Sequence, residues 1–156
     1  MYDAKTNPDP AVQNFGWPFL LGVTGLQVLV VMMLLLANAA AAFEADTGVA
    51  WATLAAAYPT VATQFAMSRQ ASLVGNLAVG AFALLVTFFG LRSGQRWAWF
   101  TLWILPASML PGTVSLLRTE NQAGAAVFGG VFMALAVAGL FLSYRAVFSR
   151  PVERIS

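Results

Sequence analysis

The sequence predicts an all-α membrane protein: a four-transmembrane-helix bundle with a short interfacial helical segment between helices 1 and 2. Three observations carry that prediction. The first is where charge is missing. Residues 17–42, 71–91, 97–117 and 123–144 hold no Lys, Arg, Asp, Glu or His, and all eight basic and six acidic side chains fall between or beyond these runs. A helix needs about twenty apolar residues to cross a hydrocarbon layer ~30 Å thick, and each run is about that long. The second is composition. The 156 residues are 60% hydrophobic and 9% charged, against about 25% charged in soluble domains, more apolar surface than a water-soluble fold of this length can hide. The third is the distribution of basic residues about the runs, which assigns each connection to a side.

Each element follows from the residues at its ends. Residues 1–16 are polar and carry two prolines, too little apolar surface to fold alone. The first span runs over 17–42, with Pro18 in the first turn, where its missing N–H would have no partner. At ~1.5 Å per residue such a helix approaches 40 Å, so it should tilt or protrude. Ala37-Asn38-Ala39 looks like a small-residue cleavage site, but the segment ahead of the run has one Lys against two Asp. Signal peptides begin with net positive charge, so the expectation is a retained helix.

Residues 43–70 form the long connection, opened by Glu44 and Asp46, punctuated by Trp51 and Tyr58, with Pro59 starting a helical piece that reaches Arg69. Irregular backbone cannot face lipid, so short helices lying at the interface, aromatic side down, are expected. The second span covers 71–91. The turn Arg92-Ser93-Gly94-Gln95-Arg96 leads into the third span, 97–117, and a short turn around Arg118 to Gln122 leads into the fourth, 123–144. The basic tail, 145–156, is expected to extend the last helix until Pro151.

Counting basic residues near the span ends orients the bundle. Lys5, Arg92, Arg96, Arg145, Arg150 and Arg154 share one side, and only Arg69 and Arg118 lie on the other. The protein is therefore expected in the cytoplasmic membrane with both termini cytoplasmic. Trp97, Trp99 and Trp103 near the inner end of span three, and Trp51 outside, suit aromatic belts.

Residue types exclude much chemistry. The chain has no Cys and no His, which removes disulfides, thiolate catalysis and the usual haem or zinc ligands. No cofactor is expected beyond a bound lipid, and no enzyme activity. The net charge of +2 is too small and scattered to suggest nucleic acid. Carboxylate-coupled pumping is disfavoured because the spans hold no ionisable group.

Several residues remain as candidates for contact with a ligand or partner. Pro106 and Pro111 each remove a backbone donor in span three and crowd the carbonyls of Leu102 and Ala107. Ser108, Thr113 and Ser115 are near enough to satisfy freed carbonyls, and a broken helix can line a cavity. Span four carries Ala126, Gly130, Ala134 and Ala138 at four-residue spacing, a stripe that lets helices approach closely; packing within the chain is the first expectation. Ala71, Gly75 and Gly80 give span two a second small edge. The amides in the spans are Gln27, Asn38 and Asn76, read as interhelical glue, with Asn38 and Asn76 placed to meet across the first helix pair. Glu44, Asp46, Arg69, Arg118, Glu120 and Asn121 flank span ends on one side and could converge there. The six methionines are dispersed, as gap-filling residues are.

The inner turn carries a recognisable pattern. Arg92-Ser93-Gly94-Gln95-Arg96-Trp97-Ala98-Trp99, with an apolar run to Pro106, resembles the R-x-G-x-R-W-A-W turn of many uncharacterised four-span bacterial membrane proteins. DoxX-like proteins share the four-span layout alone. The resemblance covers about fifteen residues and implies a prokaryotic cytoplasmic-membrane protein. Physically, Arg92 and Arg96 would reach lipid phosphates while Trp97 and Trp99 anchor the interface.

The leading functional expectation is a non-catalytic accessory or scaffold subunit of a larger membrane complex, or a homo-oligomer, packing through small-residue faces. The alternative is a small transporter or lipid-binding protein with a groove at the proline-broken third span. That alternative requires a path opening near Pro106–Pro111; a solid bundle there would remove its motivation.

Overall fold

The computed structural model describes residues 15–117 and 123–148. Every regular element among them is a helix. α1 (Gly16–Leu36), α4 (Pro59–Leu85), α5 (Arg96–Thr101), α6 (Ile104–Leu117) and α7 (Ala123–Phe148) build the bundle, and α2 (Ala39–Thr47) and α3 (Trp51–Ala57) form a helical hairpin at one end. Four stretches are long and apolar enough to cross a membrane: Gly16–Leu36, Pro59–Leu91, Arg96–Leu117 and Ala126–Tyr144.

The boundaries depart from the sequence expectation in three places. The first long helix stops at Leu36 rather than 42, because Ala37 and Asn38 adopt extended backbone, with ψ of 135° and 134°. The Asn38 side-chain oxygen accepts from the N–H of Ala40 at 3.0 Å and so caps α2, a role that competes with helix continuation. The second departure is in the long connection. Pro59 starts not a separate interfacial piece but a single 33-residue helix to Leu91, about 50 Å long at ~1.5 Å per residue. Its first three turns stand beside the α2–α3 hairpin, where Phe43, Trp51 and Phe65 pack edge-on and tilted within 5.3–6.1 Å. Its last six residues, Val86–Leu91, wind as a π-helix, seen in the Arg92 N–H donating to the Thr87 carbonyl.

The third departure concerns the prolines. The break expected at Pro106 and Pro111 falls ahead of both, at Leu102–Trp103, one turn before Pro106, whose ring crowds the Leu102 carbonyl. The Leu102 carbonyl is then satisfied by the N–H of Leu105 at 3.1 Å. Pro111 sits inside a continuous α6. Ser108, Thr113 and Ser115 do not rescue the crowded carbonyls; they donate to Leu105, Met109 and Pro111 of their own helix.

α1 packs against both α4 and α7, α6 packs against α7, and α4 and α6 barely touch. The order around the bundle is therefore α4, α1, α7, α6. A four-residue turn with Gly94 at φ 71°, a left-handed conformation that favours glycine, joins the long α4 helix to α5. At this turn end the helices are tightly packed. Leu20, Ala83, Val86, Leu91, Ala98, Leu102, Leu105, Ala136, Leu140 and Val147 form one buried cluster. Trp99 is its hinge-pin: its indole N–H donates to the Leu140 carbonyl at 2.8 Å, and its ring packs edge-on against Phe100, Trp103, Tyr144 and Phe148.

Candidate functional site

Towards the opposite, hairpin end the bundle is not solid. A cleft of about 230 Å³ lies among all four long helices. α1 contributes Gln27, Val30, Val31 and Leu34, positions one helical face apart at i, i+3, i+4 and i+7. α6 contributes Ser108, Met109, Gly112, Thr113 and Leu116, again one face, and α7 contributes Phe128, Gly129 and Phe132. α4 supplies Asn76.

Burial separates floor from rim. Gln27, Val31, Thr113 and Phe132 are buried, whereas Asn76, Ser108 and Gly112 are exposed. Leu34 of α1 and Phe128 of α7 are exposed as well, but the polar rim belongs to α4 and α6, the pair that makes little contact, and the cleft opens sideways between them. The geometry has a local cause. The short turn pins α4 to α5, the helix is interrupted at Leu102–Trp103 before α6 begins, and α6 packs chiefly on α7. Gly129 permits that close approach: a Cβ there would sit 2.8 Å from the Thr113 hydroxyl oxygen.

The polar groups of the cleft are uncharged. Thr113 donates to the Met109 carbonyl at 3.0 Å, Ser108 to Leu105 at 2.9 Å and the Asn76 amide to Ser72 at 3.0 Å. Their remaining oxygen lone pairs are free to accept. Gln27 differs: it is 7% exposed, and its amide makes no hydrogen bond with any described residue. No described residue lining the cleft is charged.

The other sequence candidates fall elsewhere. Asn38 and Asn76 do not meet; one caps α2 and the other bonds its own helix. The Glu44 carboxylate accepts from the Trp51 N–H at 2.7 Å, bridging α2 to the start of α3. Arg69 donates to the carbonyls of Leu34 at 3.0 Å and Ala37 at 3.4 Å, closing the C-terminal end of α1, where a cation is favourable. Asp46 is exposed. Arg118, Glu120 and Asn121 lie outside the described residues, as do residues 1–14 and the tail beyond 148; of the expected cluster's described members, Glu44 and Arg69 act on backbone.

The stripe on α7 mostly faces outward. Ala126 is buried, but Ala134 and Ala138 are exposed and a Cβ at Gly130 would meet nothing within 4 Å. Contact within the chain uses other small positions, Gly129 and Gly139. Ala134 instead lines a shallow outer groove of about 380 Å³ between α6 and α7, floored by Pro106 and Ala107. On span two, Gly80 packs against Val28, while Ala71 and Gly75 are exposed. At the turn end, Arg92 lies over the rings of Trp17 and Phe88 at 5.6 and 5.2 Å, and Arg96 over Phe148 at 5.5 Å. Trp97 is 53% exposed with its indole N–H on the Gln95 side chain, whereas Trp99 is drawn into the bundle.

Gln27 is the site residue that sequence reasoning undervalued, having set it among structural amides. The signal available was its face, shared with Val31 and Leu34. Compared with known proteins, the chain matches no family model, no curated protein and no solved structure.

Proposed function

We propose that this chain is an integral protein of the cytoplasmic membrane, with both termini in the cytoplasm, that binds an apolar molecule drawn from the surrounding lipid. The observation that carries the reading is the sideways cleft between α4 and α6, the latter beginning just after the break at Leu102–Trp103. The excess of basic residues on the turn-end side supports the orientation. A binding role fits the groups present. Amides and hydroxyls hold hydrogen-bonding partners without exchanging protons near neutral pH, and the apolar walls supply the bulk of the affinity.

The test fills the cleft without crowding the bundle. A Cβ at Gly112 meets nothing within 4 Å, so Gly112→Phe should place a ring in the cleft and leave the helices in register. Protein purified from its native membrane in mild detergent is expected to retain an extractable apolar molecule at about one per chain, and Gly112→Phe to lose most of it with unchanged helix content. Equal retention by the two proteins would sink the proposal.

A second reading, an accessory subunit that packs against another membrane protein or a second copy, is favoured by the outward face of α7 with Gly130 and Ala134. Small residues facing outward allow a neighbouring helix to approach closely. Replacing Ala134 by Leu should then disrupt co-purification of the partner and leave cleft binding intact.

A further inference from the structure

The cleft is more specific than a slot for any hydrocarbon, and the residue that makes it so is Gln27. The Gln27 side chain is mostly buried and unpartnered, its amide atoms keeping some access to the cleft; that placement costs free energy that a Leu or Met of similar size would avoid. The neighbours do not relieve it. Thr113 and Ser108 have spent their hydroxyl protons on their own helix, and Asn76 has spent one amide proton the same way. At the floor, therefore, Gln27 offers a free donor and a free acceptor, and the cleft walls around it carry no charge to hold an ion.

We propose that the bound molecule is a neutral amphipath, with one hydroxyl or carbonyl head hydrogen-bonded to Gln27 and an apolar tail. This rests on the binding reading above and names its ligand class. Size agrees with a head inside and a tail running out. An apolar cavity of about 150 Å³ accommodates benzene, so about 230 Å³ takes the head and a short length of chain, and the remainder leaves between Asn76 and Ser108. A carboxylate or ammonium head would lose its hydration and find no counter-charge on these walls.

Three ten-carbon probes separate the possibilities: decane, 1-decanol and decanoate, each titrated into the purified full-length chain in detergent at pH 8 and corrected for partition into micelles. One net hydrogen bond corresponds to a preference of roughly five- to tenfold, so 1-decanol is expected to bind about that much more tightly than decane. Decanoate is expected to bind less tightly than decane. In Gln27→Met the preference should vanish, with 1-decanol falling to the affinity of decane. Equal affinities of decane and 1-decanol for the wild type, or tighter binding of decanoate, would overturn the inference with no variant needed. So would a Gln27→Met protein that keeps the preference. If instead all three probes bind Gly112→Phe as they bind the wild type, the binding reading itself fails, and the two failures are thus told apart.

Discussion

Gly16 and Gly139 are among the tightest points of the turn-end half. A Cβ on Gly16 would sit 2.5 Å from the Ser143 backbone, and one on Gly139 2.6 Å from a methyl of the fully buried Leu20. Overpacking of this kind costs roughly 1–3 kcal/mol. Gly16→Ala is the more damaging change, because backbone cannot rotate out of the way. By contrast Gly22→Ala, with open space above it, should stabilise α1 by about 0.5–1 kcal/mol. Thermal unfolding in detergent should rank the three with opposite signs for Gly22→Ala and Gly16→Ala. Thr87 makes a different point. Its hydroxyl is fully buried and has no hydrogen-bond partner among the described residues, at the start of the π-helical segment. Thr87→Val keeps the shape and removes the orphaned group, so the unfolding midpoint should rise, by the equivalent of about 1 kcal/mol or more.

Among the elements, α2 starts on a side-chain cap, the Asn38 oxygen accepting from the Ala40 N–H. Asn38→Ala removes the cap, worth about 0.5–2 kcal/mol, and should speed amide exchange at Ala40–Ala42 while the long helices remain protected. Mass-spectrometric hydrogen exchange would read the difference. The same residue shows how far the sequence could be read. The run 17–42 is predominantly apolar and uncharged, and that predicts a helix long enough to cross a membrane without fixing where it stops. Asn38 could equally have been an amide inside a span or a cap just beyond one, and only the fold decides. Pro106 and Pro111 are alike in sequence, yet the chain breaks at one and runs on through the other. Each removes a single hydrogen bond, and whether the helix turns aside depends on what packs against it. Conversely, the helical content and the four long apolar segments needed nothing beyond composition and spacing. Residues 59–69 read as a separate interfacial helix because Thr, Gln and Ser lower their hydropathy below that of the span they run into.

At the scale of the molecule, the chain contains no Cys, so a single introduced cysteine reports cleanly. With the proposed orientation, Ser93→Cys should react with an impermeant maleimide only from the cytoplasmic side, and Asp46→Cys only from the other side. Reaction of both from one side would remove the four-span reading. The cleft itself was foreseeable only as a possibility. Pro106, Ser108 and Pro111 marked the neighbourhood, but its opening comes from α6 leaning on α7 rather than on α4, a choice made by Gly129 and by the hydrophobic cluster around Trp99, none of which a linear reading can rank.

Among the described residues the bundle is closed where α4 meets α5, and the cleft opens in the half that carries the α2–α3 hairpin. In a bilayer, such a shape can exchange molecules with one leaflet and not the other. With the proposed orientation the protein would sample the outer monolayer alone, and a molecule synthesised on the inner face would have to flip across before it could be captured.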